Sequence, residues 1–89
     1  MDYSVDMEIQ HLVHEIKRLG TENPDGTYST TFGVIFKDDK VQNLLESLVG
    51  TMKAAKKRKI IHFDGEFLLS PTHDKVAVTL LQPGYMAPQ

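Results

Sequence analysis

Apolar residues along the first twenty positions fall on one side of a helix. Val5, Ile9, Leu12, Val13, Ile16 and Leu19 recur at three- and four-residue spacing, which predicts an amphipathic helix. Asp6 and Glu8 lie in its first turn and Lys17 and Arg18 in its last, matching the helix dipole at both ends. Gly20 is a natural stop, and Asn23-Pro24-Asp25-Gly26 reads as a turn. Residues 28–32 are β-branched, aromatic or small, and predict a short strand. Residues 33–37 predict a short helix closed by Asp38-Asp39, either of which can N-cap the helix that follows.

That next helix is expected to run unbroken over residues 41–57. Val41, Leu44, Leu45, Leu48, Val49, Met52 and Ala55 share one face, with Ser47, Gly50, Lys53, Ala54 and Lys57 opposite. A strand over 60–63, an Asp64-Gly65 turn or bulge, and a second strand over 67–69 come next. After a loop at 71–75, residues 76–81 alternate as a strand with one buried face. The expected fold is α+β and winged-helix-like: helices on a short antiparallel sheet, with 76–81 pairing against 67–69 as a C-terminal β-hairpin. Residues 4–82 form the domain. Residues 83–89, with two prolines, a glycine and no periodicity, are expected as a flexible tail.

Eighty-nine residues with 40% hydrophobic side chains make one domain. A chain of this size buries roughly 60–65% of its unfolded surface, enough for a modest core and too little for an enclosed active-site cavity. There is no cysteine and no apolar run long enough to span a bilayer, so a cytoplasmic, monomeric protein is the default expectation. Net charge is −2 but unevenly placed. Residues 1–46 hold nine acids against four bases, and residues 47–62 hold five bases and no acid.

Catalytic and metal motifs are missing from this sequence. Placing Gly26 at the sixth position of a calcium loop puts Thr21 first and Phe32 twelfth, where carboxylates are required. His11 and His14 are three apart rather than four, and His62 and His73 stand singly, so no zinc ligand set assembles. Asp38-Asp39 and the pair Asp64 and Glu66 are better explained by capping and turn formation than by acid–base work. The expectation is no enzyme, no catalytic residue, no metal and no cofactor.

The basic run is different. Lys53, Lys56, Lys57, Arg58 and Lys59 place five bases within seven residues. One or two would suffice to offset a helix C-terminus. The excess, beside the small residues Ser47, Gly50 and Ala54, predicts a partner-docking patch. DNA is the obvious partner for a winged helix, and a nucleic-acid-binding domain is the alternative reading. Asp38, Asp39 and Glu46 near the presumed recognition helix, a wing loop with only Lys75, and a pI near 6.0 argue against it.

Several stretches together resemble the Costars family, small proteins related to the C-terminal domain of the actin-binding Rho-activating protein of striated muscle. They include Glu15-Ile16-x-Arg18-Leu19-Gly20, Asp25-Gly26 and Thr31-Phe32-Gly33-Val34-x-Phe36-x-Asp38-Asp39. The densest stretch is Leu48-Val49-Gly50-Thr51-x-Lys53-Ala54-Ala55-Lys56-Lys57-Arg58-Lys59-Ile60. Gly65-Glu66-x-Leu68-Leu69, His73-Asp74 and Thr79-Leu80-Leu81 complete the match. The resemblance implies a winged-helix-like fold and a non-enzymatic role in regulating the actin cytoskeleton and cell motility. Its implied partners are actin filaments or an acidic actin-regulatory protein, without nucleic acid or membrane.

Overall fold

A computed structural model describes residues 3–44, 47–66 and 68–88. Helix α1 spans Tyr3–Leu19 and presents the expected stripe: Ile9, Leu12, Val13 and Ile16 are buried. Gly20 ends it, donating its N–H to the Ile16 carbonyl at 2.8 Å. A Cβ there would lie 2.8 Å from the Ser29 carbonyl oxygen, so only glycine lets the returning strand pass this close. Strand β1 (Thr21–Glu22) turns through Asn23–Thr27 and pairs antiparallel with β2 (Tyr28–Thr31).

Thr31 caps α2 (Phe32–Lys37), whose Phe32 and Ile35 enter the core. Helix α3 (Asp39–Leu44) follows directly, with Asp38 as its cap: the carboxylate accepts the Val41 N–H at 3.0 Å. The expected continuous helix over 41–57 is corrected here. Ser47 is extended (φ −139°, ψ 90°), and a separate helix, α4, spans Leu48–Lys57. The Ser47 hydroxyl accepts the Gly50 N–H at 3.3 Å, so a serine expected on a helix surface instead starts a new helix. Leu45 and Glu46 lie outside the described residues. Leu44, expected inward, is exposed, while Met52 and Ala55 are fully buried as expected.

Helix α4 leaves through Lys59, which sits at φ 60°. The Ile60 N–H bonds to the Ala55 carbonyl and the Lys59 N–H to the Lys56 carbonyl, the paired bonds of a Schellman closure. Strand β3 (Ile61–His62) and strand β4 (Ala77–Leu80) complete a four-stranded antiparallel sheet in the order β1-β2-β4-β3. Helices packed on this small sheet make the α+β fold expected from sequence, and α4 followed by the antiparallel pair β3–β4 keeps the helix-then-hairpin order.

The partner of β4 differs from expectation. It pairs with β2 over four positions and with β3 over two, and neither Leu68 nor Leu69 joins the sheet. Phe67 lies outside the described residues. Leu68 is buried, and Leu69 is exposed with its backbone satisfied locally: its N–H donates to His73 Nδ1 and its carbonyl accepts the His73 N–H. A backbone already satisfied in this way has no demand for a strand partner. The predicted alternation of β4 holds, with Val78 and Leu80 buried and Ala77 exposed.

Residues 83–88, expected as a flexible tail, form no helix or strand but lie against α1. Lys17 Nζ donates to the Pro83 carbonyl at 3.3 Å, and the Ala87 N–H donates to Gln10 Oε1 at 2.6 Å. Tyr85 packs on the core and Ala87 is buried.

Candidate functional site

The eight residues of the predicted docking patch do not share one environment. Ser47 and Gly50 belong to the start of α4 and have a structural reason there. A Cβ on Gly50 would meet the Ser47 hydroxyl at 2.9 Å, so the glycine keeps the cap open. Gly50 is therefore a first-turn residue rather than the mid-helix residue the unbroken helix implied.

The charged members divide by partner. Arg58 reaches the carboxylate of Asp6 on α1, and this hydrogen-bonded pairing raises its guanidinium further above the ordinary arginine range. Lys56 donates to the Gly65 carbonyl at 2.5 Å while its ammonium stands 4.5 Å from the centre of the Phe63 ring. Lys59 turns the chain, and its carbonyl accepts a bond from Gln82 Nε2. Three of the five bases thus take part in holding α4 to its surroundings.

Lys53 and Lys57 remain. They lie one turn apart on α4, exposed, with no ion-pair partner among the described residues. Between them Ala54 is half-buried, and with Lys56 and Glu66 the set lines an open groove of about 650 Å³. The sequence marks Glu66 as a turn acid near Asp64, and the fold places it at this groove beside the α4 lysines. The groove sets three lysines and one glutamate around a mainly apolar lining, a cationic excess that suits a carboxylate-bearing protein surface.

A second constellation went unnoticed in the sequence. Glu15, on α1, is 1% exposed, and its Oε1 accepts Arg18 Nε at 2.6 Å while Lys40 Nζ stands 3.8 Å from Oε2. Arg18 Nη2 also donates to Asp38 at 2.5 Å. A buried carboxylate is tolerated when it is paired and hydrogen-bonded, and here the pairing ties α1 to the joint between α2 and α3. The spacing of Glu15 and Arg18, three apart on a helix, was the available signal. Gly33 is a third: its N–H donates to the Asp74 carbonyl at 2.9 Å, and Asp74 also meets Lys37 at 3.1 Å.

Histidines do not converge. His14 is exposed and His11 half-buried beside Pro83 and Tyr85, His62 faces Asp64, and His73 accepts from Leu69. Among the described residues there is no group of three or more histidine and carboxylate side chains arranged to hold a metal ion. No helix of the described residues is long and apolar enough to cross a membrane.

The residues that make these contacts (Glu15, Arg18, Gly20, Gly33, Asp38 and Asp74) are among those on which the family resemblance rests. The profile of the Costars family matches residues 4–81. The chain belongs to the Costars family. A Costars family protein of Oryza sativa subsp. indica is 55% identical over 84 residues, covering 94% of this chain and 97% of the relative. The Costars family protein ABRACL of Xenopus laevis is 58% identical over 79 residues, covering 89% and 98%. The solution structure of human HSPC280 protein is 58% identical and superposes with a TM-score of 0.77 over 88% of this chain and 92% of that one. These Costars relatives carry no enzymatic activity in their names.

Proposed function

We propose that this Costars chain is a non-enzymatic interaction module of actin-cytoskeleton regulation and cell motility. It docks through the Lys53–Lys57 face of α4 onto an acidic protein surface, an actin filament or an acidic regulator of actin. One observation carries the choice of face. Arg18, Lys37, Lys40 and Arg58 each lie against a carboxylate of this chain, whereas Lys53 and Lys57 present neighbouring ammonium groups with no such partner among the described residues. Cations left unpaired next to one another repel, and an acidic partner relieves that repulsion. Lys56, Arg58 and Lys59 extend the positive field around the helix end.

The nucleic-acid alternative draws less support than its helix order suggests. Asp38 and Asp39 now belong to the start of α3 and no longer flank the helix before β3, but net charge −2 and a lone Lys75 between β3 and β4 still oppose a polyanion. Co-sedimentation with actin filaments and crosslinked pull-downs from cytosol test the proposal. The Lys53→Glu/Lys57→Glu variant is expected to lose the partner, and Lys75→Glu, a charge reversal on another surface, to keep it. Binding should weaken as salt rises from ~0.05 to ~0.3 M, because screening shortens the reach of charge. Full retention by the double variant places docking elsewhere, and tight binding to duplex DNA at physiological salt favours the alternative.

A further inference from the structure

Two Asp-Gly pairs occur in the chain, Asp25-Gly26 and Asp64-Gly65, and the structure treats them oppositely. Both glycines have positive φ and open space where a Cβ would stand. At Asp25-Gly26 the backbone N–H of Gly26 is held by the Asn23 carbonyl at 2.9 Å. Asp25 Oδ1 accepts both the Thr27 hydroxyl at 2.7 Å and the Thr27 N–H at 3.0 Å. Those bonds favour the ionised carboxylate and fix it in the turn.

At Asp64-Gly65 the carboxylate is fully exposed, and the Gly65 N–H donates to no described residue. His62 Nε2 stands 3.2 Å from Asp64 Oδ1. We infer that Asp64-Gly65 is a site of spontaneous isoaspartate formation, and that Asp25-Gly26, identical in sequence, is protected by its turn. In the reaction the Gly65 nitrogen bonds to Asp64 Cγ. The C–O bond of the protonated carboxyl breaks, and its oxygen leaves as water carrying the amide proton. Water then opens the five-membered imide at either carbonyl, regenerating aspartate or giving isoaspartate. The imidazole of His62 is placed to hand a proton to the departing oxygen.

Isoaspartate inserts a methylene into the main chain at residue 64, one residue ahead of the Gly65 carbonyl that accepts from Lys56. On the function proposed above, the change would free a third ammonium at the Lys53–Lys57 groove. The modification itself does not depend on that reading.

Folded protein held at neutral pH and physiological temperature would be digested, and isoaspartate quantified at each site by fragmentation mass spectrometry. Isoaspartyl methylation with labelled S-adenosylmethionine gives an independent total. Asp64 is expected to convert several-fold faster than Asp25 in the folded protein, and the two rates to converge in concentrated urea. His62→Gln should slow the Asp64 site in the folded protein and leave it unchanged in urea. Equal rates in the folded state, a difference that persists in urea, or no isoaspartate at Asp64 when the unfolded chain forms it, each overturns the inference. An unchanged rate in His62→Gln removes the histidine from it.

Discussion

Arg18 and Asp38 meet at 2.5 Å, and the Asp38 oxygen that accepts the guanidinium also accepts the Val41 N–H at 3.0 Å. One carboxylate oxygen therefore closes the cap of α3 and anchors it to α1. The Arg18 hydrogen bond, then the Val41 N–H, holds the Asp38 carboxyl below the usual aspartate range. Because its folded pKa is below its unfolded one, the stability it contributes is fully present above the unfolded value of ~3.9. That stability is lost as pH falls toward the folded value. Thermal melts should drop through this acid window, and Asp38→Asn should lower the melting temperature at neutral pH while flattening the acid limb.

The break at Ser47 gives a prediction of opposite sign to that of an unbroken helix. Were Ser47 a surface position within a helix, alanine would stabilise slightly through helix propensity. As the N-cap of α4, Ser47→Ala should cost about 0.5–2 kcal/mol in a chemical denaturation midpoint.

Core substitutions should rank by burial rather than by sequence pattern. Met52 is fully buried, whereas Leu48, expected as a core anchor, is only half-buried. Met52→Ala should cost about 2–5 kcal/mol by denaturant melts. Leu48→Ala should cost less, since solvent already reaches part of the side chain.

Periodicity revealed α1 and β4, and residue types with their flanking caps revealed β2 and α2, so these four appear where expected. Two of its readings failed for local reasons. Ser47 lies in an amphipathic pattern that continues through it, yet it is extended and its hydroxyl caps α4 by accepting the Gly50 N–H. Leu69 carries an apolar side chain, yet His73 satisfies its backbone and removes it from the sheet. The basic cluster was legible as charge. Its division into anchoring residues (Lys56, Arg58, Lys59) and an unpaired pair (Lys53, Lys57) was not, because Asp6 and Gln82 are brought to the helix end only by the fold, and Gly65 only by the turn after β3.

Lys59 occupies a left-handed backbone conformation that suits glycine. A side chain costs roughly 1–2 kcal/mol there, partly offset by the greater freedom glycine has when unfolded. Lys59→Gly should therefore stabilise the fold by up to about 1 kcal/mol, seen as a rise in denaturant midpoint.

Gly33 should tolerate nothing larger. A Cβ would lie 2.8 Å from Asp74 Cβ and 3.0 Å from the Asp74 carbonyl oxygen, and that carbonyl accepts the Gly33 N–H. Gly33→Ala is expected to cost about 1–3 kcal/mol as the helix and the loop are forced apart, measured by thermal or denaturant unfolding.

The middle of the sheet joins β2 to β4, two strands separated by half of the chain, while β1 and β3 only flank them. A growing polypeptide can form α1 and α4 early, but its sheet has no centre until Leu80 has left the ribosome. The closure of so long a loop carries an entropic cost before any strand contact repays it, so folding should be governed by that late pairing rather than by the helices. Until then α1 and α4 can cover only part of their apolar faces by packing on each other, and during synthesis this half-made chain is the form most exposed to aggregation.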